Sequence, residues 1–114
     1  MPNYVNVDWN TYNRKRSGAG EKQMRVPELS GKEMLKVLCN ELGYTARGGR
    51  GDHVTLENID LAGAKVGDRF VTVPVSHQRL KEGTKHGIIK TVLEHRKRIN
   101  PELSWNDIAE IFYR

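Results

Sequence analysis

Three β-rich stretches follow one another between Tyr44 and Val75, and no connection between them is long enough for a crossover helix. Parallel neighbours need a crossover of a dozen residues or more, so these strands are expected as an antiparallel meander. The first is Tyr44 to Arg47, closed by the breaker Gly48-Gly49-Arg50-Gly51. The second, Asp52 to Glu57, alternates polar and apolar residues, as a strand with one wet face does. After a long hairpin loop at 58–68, Arg69 to Val75 supplies the third. Its Pro74 belongs at an edge or a strand end, because proline cannot donate to a ladder.

Helices flank the meander. Ser30-Gly31-Lys32-Glu33 is a capping box, in which Ser30 and Glu33 answer each other's free amides. Met34, Leu35, Leu38, Cys39 and Leu42 then recur at helical spacing until Gly43 ends the helix, giving a first helix over about 30–42. A second begins near Thr84, after Gly83, with Ile88, Ile89, Val92 and Leu93 as its apolar stripe. Arg96 to Arg98 set positive charge at its negative end. Beyond Pro101, Ser104 caps a short last helix. There Trp105, Ile108, Ala109 and Phe112 form a stripe that either closes the core or docks a partner.

The chain is thus an α+β domain of order α-β-β-β-α with a short C-terminal helix. Two helices with single apolar stripes are best buried on one face of a three-stranded antiparallel sheet. Val54 and Leu56 then face the helices, and His53, Thr55 and Glu57 point to the opposite, open face. Residues 1–27 read as a basic, largely flexible arm, 28–99 as the domain and 100–114 as a helical extension.

With 114 residues the chain is the size of one domain, large enough to fold without disulfide or metal. Cys39 is the only cysteine, which excludes an internal disulfide and cysteine-cluster zinc sites. No apolar run reaches membrane-span length, and the start lacks a signal peptide's apolar core, so a cytoplasmic protein is expected. The net charge is +5, and residues 1–50 hold nine basic against five acidic residues. Clusters such as Arg14-Lys15-Arg16 suit phosphate contacts, because phosphate neutralisation releases condensed counterions. His86 and His95 are nine residues apart, which rules out a one-turn zinc pair and leaves them as expected surface residues. Gly48 to Gly51 lacks the Gly-Lys-Ser/Thr of a phosphate-binding P-loop.

The stretch from Ser30 to about Leu93 resembles the HicA family of toxins, small mRNA interferases held by HicB antitoxins. The resemblance rests on the helix Gly31 to Leu38 running through Leu42-Gly43-Tyr44 into a strand. It rests also on Gly51-Asp52-His53-Val54, and on Val71-Thr72-Val73-Pro74 followed by His77, Leu80-Lys81-Glu82-Gly83-Thr84, Ile88 and Ile89. It implies a double-stranded-RNA-binding-domain-like fold, a catalytic His53, mRNA as substrate, a HicB-like antitoxin as partner, and no metal or cofactor. Asp52 stands where the family has serine.

Histidine titrates near neutrality and can serve as acid or base in RNA cleavage. Arg47 and Arg50 lie close by in sequence to hold a phosphate, and His77 reads as a phosphate or base contact or as a turn residue. Arg14, Lys15 and Arg16 are the expected RNA contacts of the arm. The alternative is a non-catalytic RNA-binding module reading phosphates and 2′-hydroxyls.

Overall fold

The computed structural model describes residues 22–114. Arg14, Lys15 and Arg16 therefore lie outside the described residues. The elements are α1 (Gly31–Glu41), β1 (Tyr44–Arg50), β2 (His53–Asn58), β3 (Phe70–Pro74), α2 (Glu82–Lys97) and α3 (Trp105–Ile111). Two 3-10 turns, Ile59–Leu61 and Val66–Asp68, fill the long β2–β3 loop. The sheet is antiparallel with β2 in the centre. The α+β class and the order of the three antiparallel strands follow the sequence reading.

Local chemistry sets the helix starts. Ser30 Oγ accepts from the Glu33 amide at 3.0 Å, and Glu33 Oε1 accepts from the Ser30 amide at 2.8 Å. Ser104 and Asp107 repeat this capping box at α3. Gly43, at φ 79°, takes the left-handed conformation that lets the chain leave α1 for β1. The pleat is as expected: Leu56 is fully buried, Val54 is half-buried against the core, and His53 faces out. Leu56, Val73, Met34, Leu38, Ile89 and Val92 form the centre of the core. Ile108 and Ala109 are buried with it, and Trp105 and Phe112 pack against it, so the α3 stripe closes the core.

Three boundaries differ from the sequence reading. β1 does not stop at Arg47 but runs to Arg50, so the glycines are part of the hairpin rather than a breaker. A Cβ at Gly49 would lie 1.8 Å from the His53 carbonyl oxygen, so only glycine allows the two strands to meet there. Arg47 is the extra residue of a bulge between Ala46 and Gly48. α2 begins at Glu82 and takes Gly83 into its first turn, where Glu82 pairs with Lys85 at 2.8 Å.

The chain before Ser30 is the third difference. Residues 22–29 lie across α2 and α3, with Val26 and Leu29 buried. Lys85, itself buried, donates to the Val26 and Pro27 carbonyls at 2.7 and 3.3 Å. Trp105 Nε1 donates to the Met24 carbonyl at 2.8 Å, and the Met24 amide donates to Asn106 Oδ1 at 2.7 Å. This segment is a strap, held mainly through its backbone. Residues 22–27, read from the sequence as the end of the basic arm, pack here against α2 and α3.

His95 is not a surface residue. It is 2% exposed, and the Tyr44 hydroxyl meets its Nδ1 at 2.7 Å. Its Nε2 faces the Gly67 carbonyl at 3.4 Å. Burial pushes the imidazole below its ordinary value, outweighing the Gly67 carbonyl and Asp68, which act the other way. Burial likewise pushes the Tyr44 hydroxyl up to about 12. A histidine kept neutral by folding binds its proton more readily when unfolded. Stability should therefore fall as pH drops below about 6.5, the ordinary histidine value. Thermal melts from pH 7 to 5 should show a falling midpoint, and His95→Gln should flatten that slope. An equal slope in the variant would place the titration elsewhere.

Candidate active site

The open face of the sheet is built by alternation along β2 and β3 and by the bulge at Arg47 in β1. Cross-strand partners share a face, so Arg50 and His53 stand side by side, as do Thr55 and Thr72 on β2 and β3. Glu57 sits between two arginines. Its Oε1 takes Arg47 Nε at 2.8 Å and its Oε2 takes Arg69 Nε at 2.9 Å, a ladder spanning the three-strand face. Arg69 also donates to the Ala64 carbonyl and lies over the Phe70 ring, 5.0 Å from its centroid. Arg47, expected as a phosphate ligand, is thus engaged by Glu57, whereas Arg50 has no ion pair among the described residues.

His53 opens β2, immediately after the two-residue turn Gly51–Asp52. Gly51, at φ 56°, makes that turn possible. Asp52 Oδ1 meets His53 Nδ1 at 3.0 Å. The other carboxylate oxygen accepts from Ser76 Oγ at 2.7 Å, and the Asp52 carbonyl accepts from the Val75 amide at 2.7 Å. The Ser76 hydroxyl is the main reason the Asp52 carboxyl is held below its usual range. Asp52 therefore orients the ring and assigns the proton of the neutral imidazole to Nδ1, which leaves Nε2 as the basic nitrogen. Asp52 thus has a defined structural task.

His77 comes to the same place from the other side. His53, Thr72, Pro74, His77, Lys81 and Thr84 line an open groove of about 400 Å³ at the end of the sheet. Both histidines are exposed. His77 is fixed by its backbone, since the Gly31 amide donates to its carbonyl at 2.9 Å. Lys81 is the N-cap of α2 without a side-chain capping bond, so the positive end of the helix dipole lies at the groove's rim. Sequence reasoning named His53, His77 and Arg50 but missed Thr72, Lys81, Thr84 and the Ser76–Asp52 support. Thr72 was findable, because it alternates with the buried Val71 and Val73.

Among the described residues, no group of three or more His, Cys, Asp or Glu could hold a metal ion, and no helix is long and apolar enough to cross a membrane. The chain matches no known family model, no curated protein and no solved structure.

The ladder makes a prediction about the open face. Both arginines hold the Glu57 carboxyl below its ordinary range, with the Arg47 hydrogen bond the largest cause. Its contribution is present above the usual carboxylate value and is lost as pH falls through the depressed folded value. Glu57→Gln should remove that part of the acid sensitivity below about pH 4.5 and leave the His95 window unchanged. Urea titrations of both proteins at pH 3.5 and 7 measure it. Equal pH dependence in the two would contradict the ladder.

Proposed function

We propose that this protein is an endoribonuclease of the HicA type, acting on mRNA in the cytoplasm by acid–base catalysis. The observation that carries the reading is the convergence of His53 and His77, 24 positions apart in sequence, on one open groove beside the cationic Lys81. Cleavage by the neighbouring 2′-hydroxyl needs a base for that proton, an acid for the departing 5′-oxygen, and positive charge for the crowded phosphorus. In this reading His53 Nε2, oriented through Asp52, removes the 2′-hydroxyl proton. The 2′-oxygen attacks phosphorus, and the bond to the 5′-oxygen breaks as His77 delivers a proton to it. Lys81 and Arg50 face the phosphate oxygens. The products are a 2′,3′-cyclic phosphate and a free 5′-hydroxyl, and no metal takes part.

The order α-β-β-β-α agrees with a double-stranded-RNA-binding-domain-like fold, with α3 added. In the same reading a HicB-like antitoxin covers the open sheet face and its groove, which accounts for a nuclease site left so exposed.

His53→Ala and His77→Ala should each slow RNA cleavage roughly 100-fold or more. Both residues are exposed, so either substitution should shift stability by within about 0.5 kcal/mol. The wild-type rate should trace a bell against pH, because one imidazole must be neutral and the other charged. It should also persist in a metal chelator. Gel analysis of a labelled transcript reads all of these. Cleavage by His53→Ala at the wild-type rate would overturn the assignment. A wild-type chain that binds RNA and never cuts it would make the protein a non-catalytic RNA-binding module.

A further inference from the structure

The cations of this surface are not distributed evenly. Arg47, Arg69, Arg79, Arg96, Arg98 and Arg114 all sit in ion pairs. Of the cations with no ion pair among the described residues, Lys32, Lys36, Arg50 and Lys65 are dispersed. Lys90 and Lys97 instead share one side of α2, and Arg25 is brought beside the N-terminal end of that helix by the strap, while Lys81 caps it on the opposite side. His86, Lys90, Leu93 and Lys97 are spaced four, three and four apart, which puts them on one side of the helix.

That side carries a shallow groove of about 360 Å³, lined by His86, Lys90, Leu93, Lys97 and Trp105, with Glu94 as its acidic member. The charge of Glu82, the other acid of α2's outer surface at this end, is already met by Lys85. The balance is positive.

An aromatic surface completes it. His86 is exposed and stacks on Trp105 with ring centroids 4.6 Å apart and planes 29° from parallel. The indole is itself held, through its bond to the Met24 carbonyl. A fixed, flat ring pair beside unpaired lysines is what a sequence-tolerant single-strand site requires: cations for the backbone and a π-face for a base.

We infer that the side of α2 bearing His86, Lys90 and Lys97 is a track for single-stranded RNA, separate from the His53–His77 groove. This rests on the RNA-cleaving reading and names its substrate class. His86 to Lys97 runs about 16 Å along the helix axis, room for a few nucleotides, the low end of single-strand site sizes. The strap has a second role in this arrangement. It fixes the chain beside α3 at Lys22, whose carbonyl accepts from Asn106 Nδ2 at 3.0 Å, and holds the indole through the Met24 carbonyl.

The test uses a fluorescein-labelled twelve-nucleotide oligouridine with 2′-O-methyl groups, which cannot be cut, and a duplex of equal length. Anisotropy across a salt series should show the single strand binding more tightly than the duplex. The double variant Lys90→Gln, Lys97→Gln should lower the slope of log affinity against log salt by about 1.4, at about 0.7 per lost contact. His86→Ala should weaken binding about tenfold. These side chains are exposed, so melting curves should be unchanged. An unchanged slope and affinity in the double variant, with wild-type binding intact, would overturn the track and leave the nuclease reading standing. Duplex binding as tight as the single strand would overturn the substrate class. Absence of both binding and cleavage in the wild type would remove the reading on which the inference rests.

Discussion

One backbone contact governs the relation between the two histidines. The Gly31 amide donates to the His77 carbonyl at 2.9 Å, and a side chain at position 31 would lie 2.0 Å from the Pro74 carbonyl oxygen. The start of α1 is therefore pressed against the end of β3 as closely as backbone allows. His53 is placed by its register with Pro74, so the same close approach fixes His77 relative to it. Leu80 adds a second tie, its amide donating to the Leu29 carbonyl at 2.9 Å. Lys85 adds a third by holding Val26 and Pro27 against α2. Gly31, Leu29 and Lys85 thus shape the groove from behind without lining it.

Much of this was legible locally. The two serine caps announce their helices, because capping chemistry lies within four residues. The pleat of β2 was legible from alternation alone, and with it the outward aim of His53, Thr55 and Glu57. What escaped depends on contacts between distant parts of the chain. A strand through Gly48-Gly49 contradicts propensity, and only the His53 backbone opposite Gly49 explains it. The strap depends on partners such as Lys85 and Trp105, which lie 59 and 81 positions away from the residues they hold. His95 is an intermediate case. It continues the Ile88 and Val92 stripe at helical spacing, so its burial was written in the sequence, but polarity argued for the surface.

Electrostatics divides the molecule by task. On the open sheet face, Glu57 ties up Arg47 and Arg69, and Asp52 engages His53, which leaves Arg50 and Lys81 as the cations free to meet a phosphate. That economy suits a site meant for one phosphodiester. Along α2, Lys90 and Lys97 have no ion pair among the described residues and suit, in the proposed reading, a run of phosphates, where binding is cumulative and salt-dependent. Neither surface requires the histidine chemistry to be strong by itself. In the proposed reading positioning supplies much of it, since Lys81 lines the same groove as the two imidazoles.

The most direct measurement is nitrogen-15 NMR of the four imidazole side chains during titration with a uridine dinucleotide carrying 2′-deoxyribose at the scissile linkage. Lacking the attacking hydroxyl, it binds without being cut. If the groove is a phosphodiester site, His53 and His77 resonances move together, with one common dissociation constant, while the buried His95 stays still. Titration curves in which His53 and His77 remain unmoved while the dinucleotide demonstrably binds would place the phosphate elsewhere and contradict the account.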